Sequence, residues 1–186
     1  TCPHVSRAQK AAAKLAGEYG FVVVVGEAGH PEVEGLVAYA QEAGGSVCVA
    51  ECGADLPDDL PEHVGVVVQT TQTRDALEDV LAGLKDRGVE AEVKDTVCTA
   101  TRQRQQAAAK LAGEVDAIVV IGGRNSANTT HLAEICAAEC PRTHHVESAA
   151  ELDPVWFVDC ETVGVTAGAS TPDNQIDSVV RALEAM

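Results

Sequence analysis

The sequence predicts an α/β fold made of two repeated small units with parallel sheets, related by pseudo-symmetry. Residues 11–18 recur without change as residues 107–114, 96 positions further along the chain. Short apolar runs of strand length alternate with helical segments, which is the pattern of parallel strands joined by crossover helices. A repeat of this kind indicates two copies of one supersecondary unit. We therefore divide the chain into a first unit, residues 1–92, and a second unit, residues 93–186.

The first unit is predicted to alternate helices and strands. The Ala-rich start favours a helix, and the four valines at 22–25 form a buried parallel strand that Gly26 ends. Pro31 suits the first position of a helix. The elements expected in order are helix 6–18, strand 22–25, helix 31–43, strand 46–50, a loop over 55–61, strand 64–69 and helix 74–87.

The second unit is predicted to repeat this order. The apolar run at 117–121 matches the first strand of the first unit, and the Val-Gly-Val triplet at 64–66 recurs at 163–165. The elements expected are helix 101–113, strand 117–121, helix 128–139, strand 143–147, strand 162–166 and helix 172–185.

Composition excludes several classes of function. Lys and Arg number 13 against 29 Asp and Glu, and this net charge of −16 argues against a protein that binds a phosphate backbone. Aromatic residues make up only 3%, too few for a platform that stacks bases. The longest apolar run, residues 21–25, is too short to span a bilayer. No secretory signal is recognised and the seven cysteines are irregularly spaced, so we expect a cytoplasmic protein.

Four segments lie where predicted strands end and helices begin. Ligands of open parallel sheets bind at this edge, and helix starts attract anions through free N–H groups. The ordinary alternative is N-capping by Ser, Thr and Asn with Pro in the first turn. A phosphate-like ligand is the sharper hypothesis. The segments are residues 26–32, 69–73, 122–128 and 166–172.

Two pairs of residues suggest chemistry. His30 and Glu32 follow the first strand, where they would serve as a donor to phosphate and a proton donor, although a surface pair explains them equally simply. Cys2 and Cys98 are repeat-equivalent, and each directly precedes a helix. This symmetry suggests two ligands of one shared centre, with both thiols directed into one cavity.

The remaining cysteines leave alternatives open. Cys48, Cys52, Cys136 and Cys140 have a spacing that a four-cysteine zinc site allows. Packing is the simpler interpretation for the last two, which fall on a helix. Cys160 is expected in a strand.

The chain resembles the 4-hydroxy-3-methylbut-2-enyl diphosphate reductases, iron–sulfur enzymes of the non-mevalonate isoprenoid pathway. The motifs that carry the resemblance are ordered and spread over the whole chain. They are Thr-Cys-Pro at 1–3, Gly-His-Pro-Glu-Val-Glu-Gly at 29–35, Gln-Thr-Thr at 69–71, Asp-Thr-Val-Cys at 95–98, Gly-Gly-x-Asn-Ser-x-Asn-Thr at 122–129 and Val-Gly-Val-Thr-Ala-Gly-Ala-Ser-x-Pro at 163–172.

The resemblance implies three α/β units around a 4Fe-4S cluster, with one cysteine from each unit. It implies reductive removal of the allylic hydroxyl, giving isopentenyl and dimethylallyl diphosphate. An electron donor such as ferredoxin or flavodoxin would supply the electrons. By resemblance, the cluster ligands are Cys2 and Cys98, the proton donor is Glu32, Thr70 lies near the substrate hydroxyl and Glu32, and the diphosphate is bound by His30, Ser126, Asn128 and Ser170.

Two departures from the family pattern qualify these expectations. The family's opening unit, with its own cysteine, has no counterpart here, so we expect a fragment that is inactive alone and that forms a dimer through its uncovered face. Ala127 stands where the family commonly has a second serine.

Two other functions fit the same residues. One is a non-catalytic iron–sulfur or redox-sensing module on this fold. The other is a metal-free domain that binds a phosphate ligand, for which Cys2→Ser and Cys98→Ser leave ligand binding intact.

Overall fold

The computed structural model describes residues 2–186, and these form two compact units. The first ends at Cys98 and the second is Thr99–Met186. Both are α/β units with purely parallel sheets, so the predicted fold class is confirmed. None of the helices in the described part of the chain is long and apolar enough to cross a membrane.

The first unit has a four-stranded sheet in the order β2-β1-β3-β4. Its helices are α1 (Pro3–Tyr19), α2 (Pro31–Glu42) and α3 (Arg74–Asp86), and its strands are β1 (Phe21–Val25), β2 (Ser46–Ala50), β3 (His63–Val68) and β4 (Glu90–Lys94). Alternate strand residues face opposite sides of the sheet. Val22 and Val24 therefore pack with α1 and α2, while Val23 and Val25 pack with α3.

The second unit has a three-stranded sheet in the order β6-β5-β7. Its helices are α4 (Thr99–Ala112), α5 (Ala127–Glu139) and α6 (Asp173–Glu184), and its strands are β5 (Ala117–Ile121), β6 (Thr143–Val146) and β7 (Val163–Ala167). Ile118 and Val120 pack with α4 and α5, and Val119 and Ile121 face α6. The layers thus repeat those of the first unit.

A glycine at the same place in each sheet allows a helix to pack closely. A Cβ atom on Gly65 in β3 would lie 2.6 Å from Cβ of Leu15 in α1. A Cβ atom on Gly164 in β7 would lie 3.2 Å from Cγ of Leu111 in α4. The leucines and the glycines are repeat-equivalent, so the sequence repeat preserves a knob of the helix and its hole in the sheet.

The structure adds elements that the sequence did not indicate and corrects one. Strand β4 alternates charged and apolar residues at the sheet edge, and three short 3-10 helices are Gly53–Asp55, Ala149–Glu151 and Pro154–Phe157. Cys160 does not lie in a strand, because it precedes β7 in a loop where Arg142 Nη1 is 3.0 Å from its Sγ. Strand β4 also crosses the boundary predicted at residue 92.

Candidate active site

The first unit concentrates polar side chains where β1 and β3 end. The chain leaves β1 toward β2 on one side and reaches β3 on the other, so a crevice is expected between the carboxyl ends of these two strands. The loop after β1 leads to His30, which caps α2. Its Nδ1 accepts a hydrogen bond from the backbone N–H of Glu32, 3.1 Å away.

Glu32 and Thr70 form a close pair at this edge. The backbone N–H of Thr70 donates to Glu32 Oε1 at 2.7 Å, and its hydroxyl donates to Glu32 Oε2 at 2.9 Å. Thr70 is only 6% exposed, so one partner of the pair is fixed in the interior. Both carboxylate oxygens of Glu32 are thereby oriented by one residue of the neighbouring strand end. The structure brings His30, Glu32 and Thr70 together.

The side chain of Gln69 connects the loop after β1 with the loop after β3. Its side chain is fully buried; Oε1 accepts from the backbone N–H of Glu27 at 2.9 Å and Nε2 donates to Thr71 Oγ1 at 3.0 Å. A Cβ atom on Gly26 would lie 2.7 Å from Gln69 Oε1, so only glycine leaves room for this amide. Gln69 therefore joins the two loops that carry Glu32 and Thr70.

The two repeat-equivalent cysteines occupy matching local positions. Cys2 is exposed and caps α1, with Pro3 at the first helical position and no hydrogen bond from the cysteine side chain to the helix. Cys98 is half-buried and directly precedes α4. Its backbone N–H donates to the carbonyl of Thr70 at 3.0 Å, which ties this cysteine to the Glu32–Thr70 pair. That both thiols face one cavity stays a prediction.

The second unit presents the other predicted residues where β5 and β7 end. Ser126 caps α5, but its hydroxyl makes no capping bond. Asn128, in the first turn, is 8% exposed, and neither its Oδ1 nor its Nδ2 has a hydrogen-bond partner among residues 2–186. Ser170 is exposed in the turn between β7 and α6. Buried amides are normally paired, so the side chain of Asn128 points to a missing polar partner.

Close packing brings these two strand ends together within the second unit. A Cβ atom on Gly168 would lie 2.2 Å from Thr129 Oγ1, and one on Gly122 would lie 2.9 Å from the same atom. Thr171 Oγ1 donates to the carbonyl of Ile121 at 3.0 Å. Two glycines thus let the loop that carries Ser170 lie against the helix that carries Asn128.

Two of the cysteines considered for zinc, Cys48 and Cys136, have thiols with a raised pKa. Burial raises the pKa of the Cys48 thiol to about 11. Burial, with a smaller effect of Cys140, raises that of Cys136 to about 11 as well. In both residues burial favours the protonated thiol over the thiolate that zinc binds. Within residues 2–186 no group of three or more His, Cys, Asp or Glu side chains is arranged to hold a metal ion.

The model of the LytB protein family matches residues 1–184. The chain belongs to the LytB family. It is 50% identical over 188 residues to the 4-hydroxy-3-methylbut-2-enyl diphosphate reductase of Citrifermentans bemidjiense, and 48% identical over 184 residues to that of Geobacter sulfurreducens. These alignments cover 100% and 99% of the chain, but only 65% and 64% of the two LytB relatives.

Solved LytB reductases support the same assignment. The chain matches a solved (E)-4-hydroxy-3-methylbut-2-enyl diphosphate reductase, described as the terminal enzyme of the non-mevalonate pathway, with a TM-score of 0.61 and 41% identity. The match covers 100% of this chain and 66% of that structure. It also matches the reductase of Plasmodium falciparum with a TM-score of 0.85 and 25% identity, over 98% of this chain and 58% of that one. The family resemblance read from the motifs is confirmed.

A 4Fe-4S cluster needs more ligands than the described residues arrange. Such clusters are held by about four thiolates. Cys2 and Cys98 are two, and no third metal ligand accompanies them among the described residues. Cys2 and Cys98 have the donor chemistry for two of the ligands, but the described residues do not complete a cluster.

Two further residues of the candidate site, Gln69 and Thr96, had no role assigned from the sequence. Gln69 directly precedes Thr70, and Thr96 lies two positions before Cys98; this closeness within the motifs at 69–71 and 95–98 was the available signal. Both residues make hydrogen bonds to residues that are 42 and 28 positions away, which no local pattern reveals.

Proposed function

We propose that the protein carries out the reaction named for its relatives, the reductive dehydroxylation of 4-hydroxy-3-methylbut-2-enyl diphosphate. The products are isopentenyl and dimethylallyl diphosphate. One observation carries the proposal: a carboxylate held through both oxygens by the backbone and hydroxyl of one buried threonine, at the carboxyl ends of two parallel strands. Family membership supplies the substrate class.

The reaction requires protons as well as electrons. The allylic C–O bond breaks, two electrons and one proton enter the allyl group, and a second proton converts the departing hydroxyl to water. We assign this second proton to Glu32. Its hydrogen bonds to Thr70 fix the orientation of the carboxyl group, and the Thr70 hydroxyl can also bond to the substrate hydroxyl. A general acid held in this way contributes about 10²–10⁴-fold to such a step.

We assign the diphosphate to four side chains. His30 would donate a hydrogen bond to it, and so would Ser126, Asn128 and Ser170. The unpaired amide of Asn128 supports this assignment, because a buried amide without a partner costs about 1–3 kcal/mol and is retained where a ligand completes it. The first turn of α5 adds free N–H groups and a positive dipole end.

The cofactor proposal rests on the cysteines. Cys2 and Cys98 would supply two thiolates of the 4Fe-4S cluster that the family resemblance implies, and at least one more would come from outside residues 2–186. When bound, the cluster supplies the electrons, received from a donor such as ferredoxin or flavodoxin. We place this chemistry in the cytoplasm, where thiols stay reduced. The 186-residue chain alone is expected to be inactive, and a dimer of it would be the means of bringing more thiolates together.

Glu32→Gln tests the proposal most directly. Glutamine keeps the shape and an acceptor for the Thr70 N–H but cannot give up a proton. In the protein expressed from its complete reading frame, we expect turnover to fall at least ~100-fold. Glu34→Gln is the matched control, since Glu34 is an exposed carboxylate of the same helix. Near-normal turnover in Glu32→Gln would show that the proton comes from another group.

A metal-free phosphate-binding domain is the second candidate. It is favoured by the missing third metal ligand within residues 2–186. Two experiments separate the two functions. The first is titration calorimetry of the chain with inorganic pyrophosphate. The second is anaerobic reconstitution of the complete protein with iron and sulfide. If Cys2→Ser and Cys98→Ser bind no less pyrophosphate and the complete protein takes up no iron, the metal-free function is correct.

A further inference from the structure

The side chain of Thr96 makes hydrogen bonds to the backbone of β3, as the backbone of a neighbouring strand would. The last residue pair between β3 and β4 is Val67 with Lys94. Beyond it, Thr96 Oγ1 accepts from the backbone N–H of Val68 at 3.1 Å and donates to the Val68 carbonyl. Val68 is fully buried, so its backbone groups require partners. One hydroxyl thus serves both of them after β4 has ended.

This contact determines where the next residues lie. Asp95 Oδ1 accepts from the backbone N–H of Val97 at 3.1 Å, which closes a turn. The chain then returns to the edge of β3, where the N–H of Cys98 donates to the carbonyl of Thr70 at 3.0 Å. Thr70 in turn donates from its backbone and its hydroxyl to Glu32. Hydrogen bonds therefore join the segment 96–98 to the end of β3 at two points, Thr96 with Val68 and Cys98 with Thr70, and Thr70 is bonded in turn to Glu32.

We propose that Thr96 is a positioning residue that holds Cys98 in register with the Glu32–Thr70 pair. Touching neither substrate nor metal in this role, it acts through Thr70 and Cys98. The inference rests on the proposed function, since it concerns the geometry of that site. The positioning role requires a hydroxyl group on the Cβ atom, because that group both accepts and donates a hydrogen bond close to the backbone. Threonine and serine provide this group, and valine does not.

Two substitutions separate this role from simple packing. Thr96→Val keeps the β-branched shape and loses both hydrogen bonds, and Thr96→Ser keeps the hydroxyl. Thr162→Val is the control, because it removes a threonine hydroxyl bond of 3.0 Å to Asp116 in the second unit. Amide hydrogen exchange of the 186-residue chain, read at Cys98 and at the valines of β1, reports the local effect without any cluster or substrate.

We expect Thr96→Val to speed exchange of the Cys98 amide at least tenfold more than exchange of the β1 amides. Thr96→Ser and Thr162→Val should leave Cys98 within threefold of the parent. In the protein expressed from its complete reading frame, Thr96→Val should lower kcat at least tenfold with KM within twofold, and Thr96→Ser should restore it. Equal acceleration of all amides of the first unit, or a serine variant as impaired as the valine variant, would overturn the inference.

The two proposals fail separately. If Glu32→Gln retains turnover while Thr96→Val selectively exposes the Cys98 amide, the chemistry assigned to Glu32 is wrong and the positioning role of Thr96 is supported. If Glu32→Gln loses turnover while the Cys98 amide keeps its protection in Thr96→Val, the positioning role of Thr96 is wrong.

Discussion

Gly26 offers a sharp test of how tightly the candidate site is packed. A Cβ atom at this position would lie 2.7 Å from Gln69 Oε1, 2.7 Å from Val33 Cγ2 and 2.9 Å from Gln69 Cβ. Gln69 and Val33 are at most 1% exposed, so neither can move into solvent. Gly26→Ala must therefore displace a buried amide or a buried methyl group by close to an ångström.

The cost follows from these contacts. Overpacking of a closed core costs about 1–3 kcal/mol. Displacement of Gln69 also breaks its bond to the Glu27 N–H, worth about 1 kcal/mol. We expect Gly26→Ala to lower the free energy of unfolding by ~2–4 kcal/mol. Gly17→Ala is the matched control, because Gly17 lies in α1 with nothing within 4 Å of a new Cβ atom. It should raise stability by roughly 0.5–1 kcal/mol.

Urea unfolding followed by far-UV circular dichroism measures both variants. With a urea slope of about 2 kcal/mol/M, the midpoint of Gly26→Ala should fall by about 1–2 M. The single tryptophan, Trp156, lies in the second unit, so its fluorescence reports that unit separately. An unchanged midpoint in Gly26→Ala, with Gly17→Ala behaving as expected, would refute the view that the loop is closed around Gln69.

Three further results are expected. Asn128→Leu should raise the free energy of unfolding by about 1–2 kcal/mol, since it removes an unpaired buried amide, and should abolish pyrophosphate binding in calorimetry; unchanged binding would contradict its role. Iodoacetamide at pH 8 should alkylate exposed Cys2 much faster than Cys48, whose pKa burial raises to about 11, and equal rates by mass spectrometry would contradict this. Burial holds the pKa of His144 below its unfolded value of about 6.5, so the unfolded chain binds more protons and stability should fall as the pH drops from 7 through 6. Urea titrations followed by Trp156 fluorescence should show that His144→Phe removes this slope, and an identical slope in the variant would contradict it.

Periodicity predicted the buried elements well because their pattern is local. Ser46–Ala50 and Ala117–Ile121 were found with the predicted bounds, since an apolar run bounded by polar residues has one interpretation in an α/β chain. Strand β4 was missed because Glu90, Glu92 and Lys94 alternate with apolar residues at a sheet edge. Charges at edge strands deter pairing with other chains, and they also conceal the strand from a hydrophobicity pattern.

The candidate site could be predicted only in part. Strand ends and helix starts indicated the loops, and the family motifs indicated Glu32 and Thr70. The hydrogen bonds between these two residues join positions 38 apart, and a single sequence carries no signal for that distance. The unpaired amide of Asn128 likewise depends on which polar groups the fold leaves out of reach.

The position of β4 bears on how the protein can be divided for experiments. The repeat in the sequence suggests a cut near residue 92, in the middle of a strand whose residues 90–94 pair with β3. A gene split there would leave the first product with an incomplete sheet edge and transfer Thr96 to the second product, away from Val68. A split after Cys98 keeps the sheet and the hydrogen bonds between Thr96 and Val68 in one polypeptide. The unit boundary that the sequence repeat suggests, after residue 92, and the boundary of the compact unit, after Cys98, thus differ by six residues.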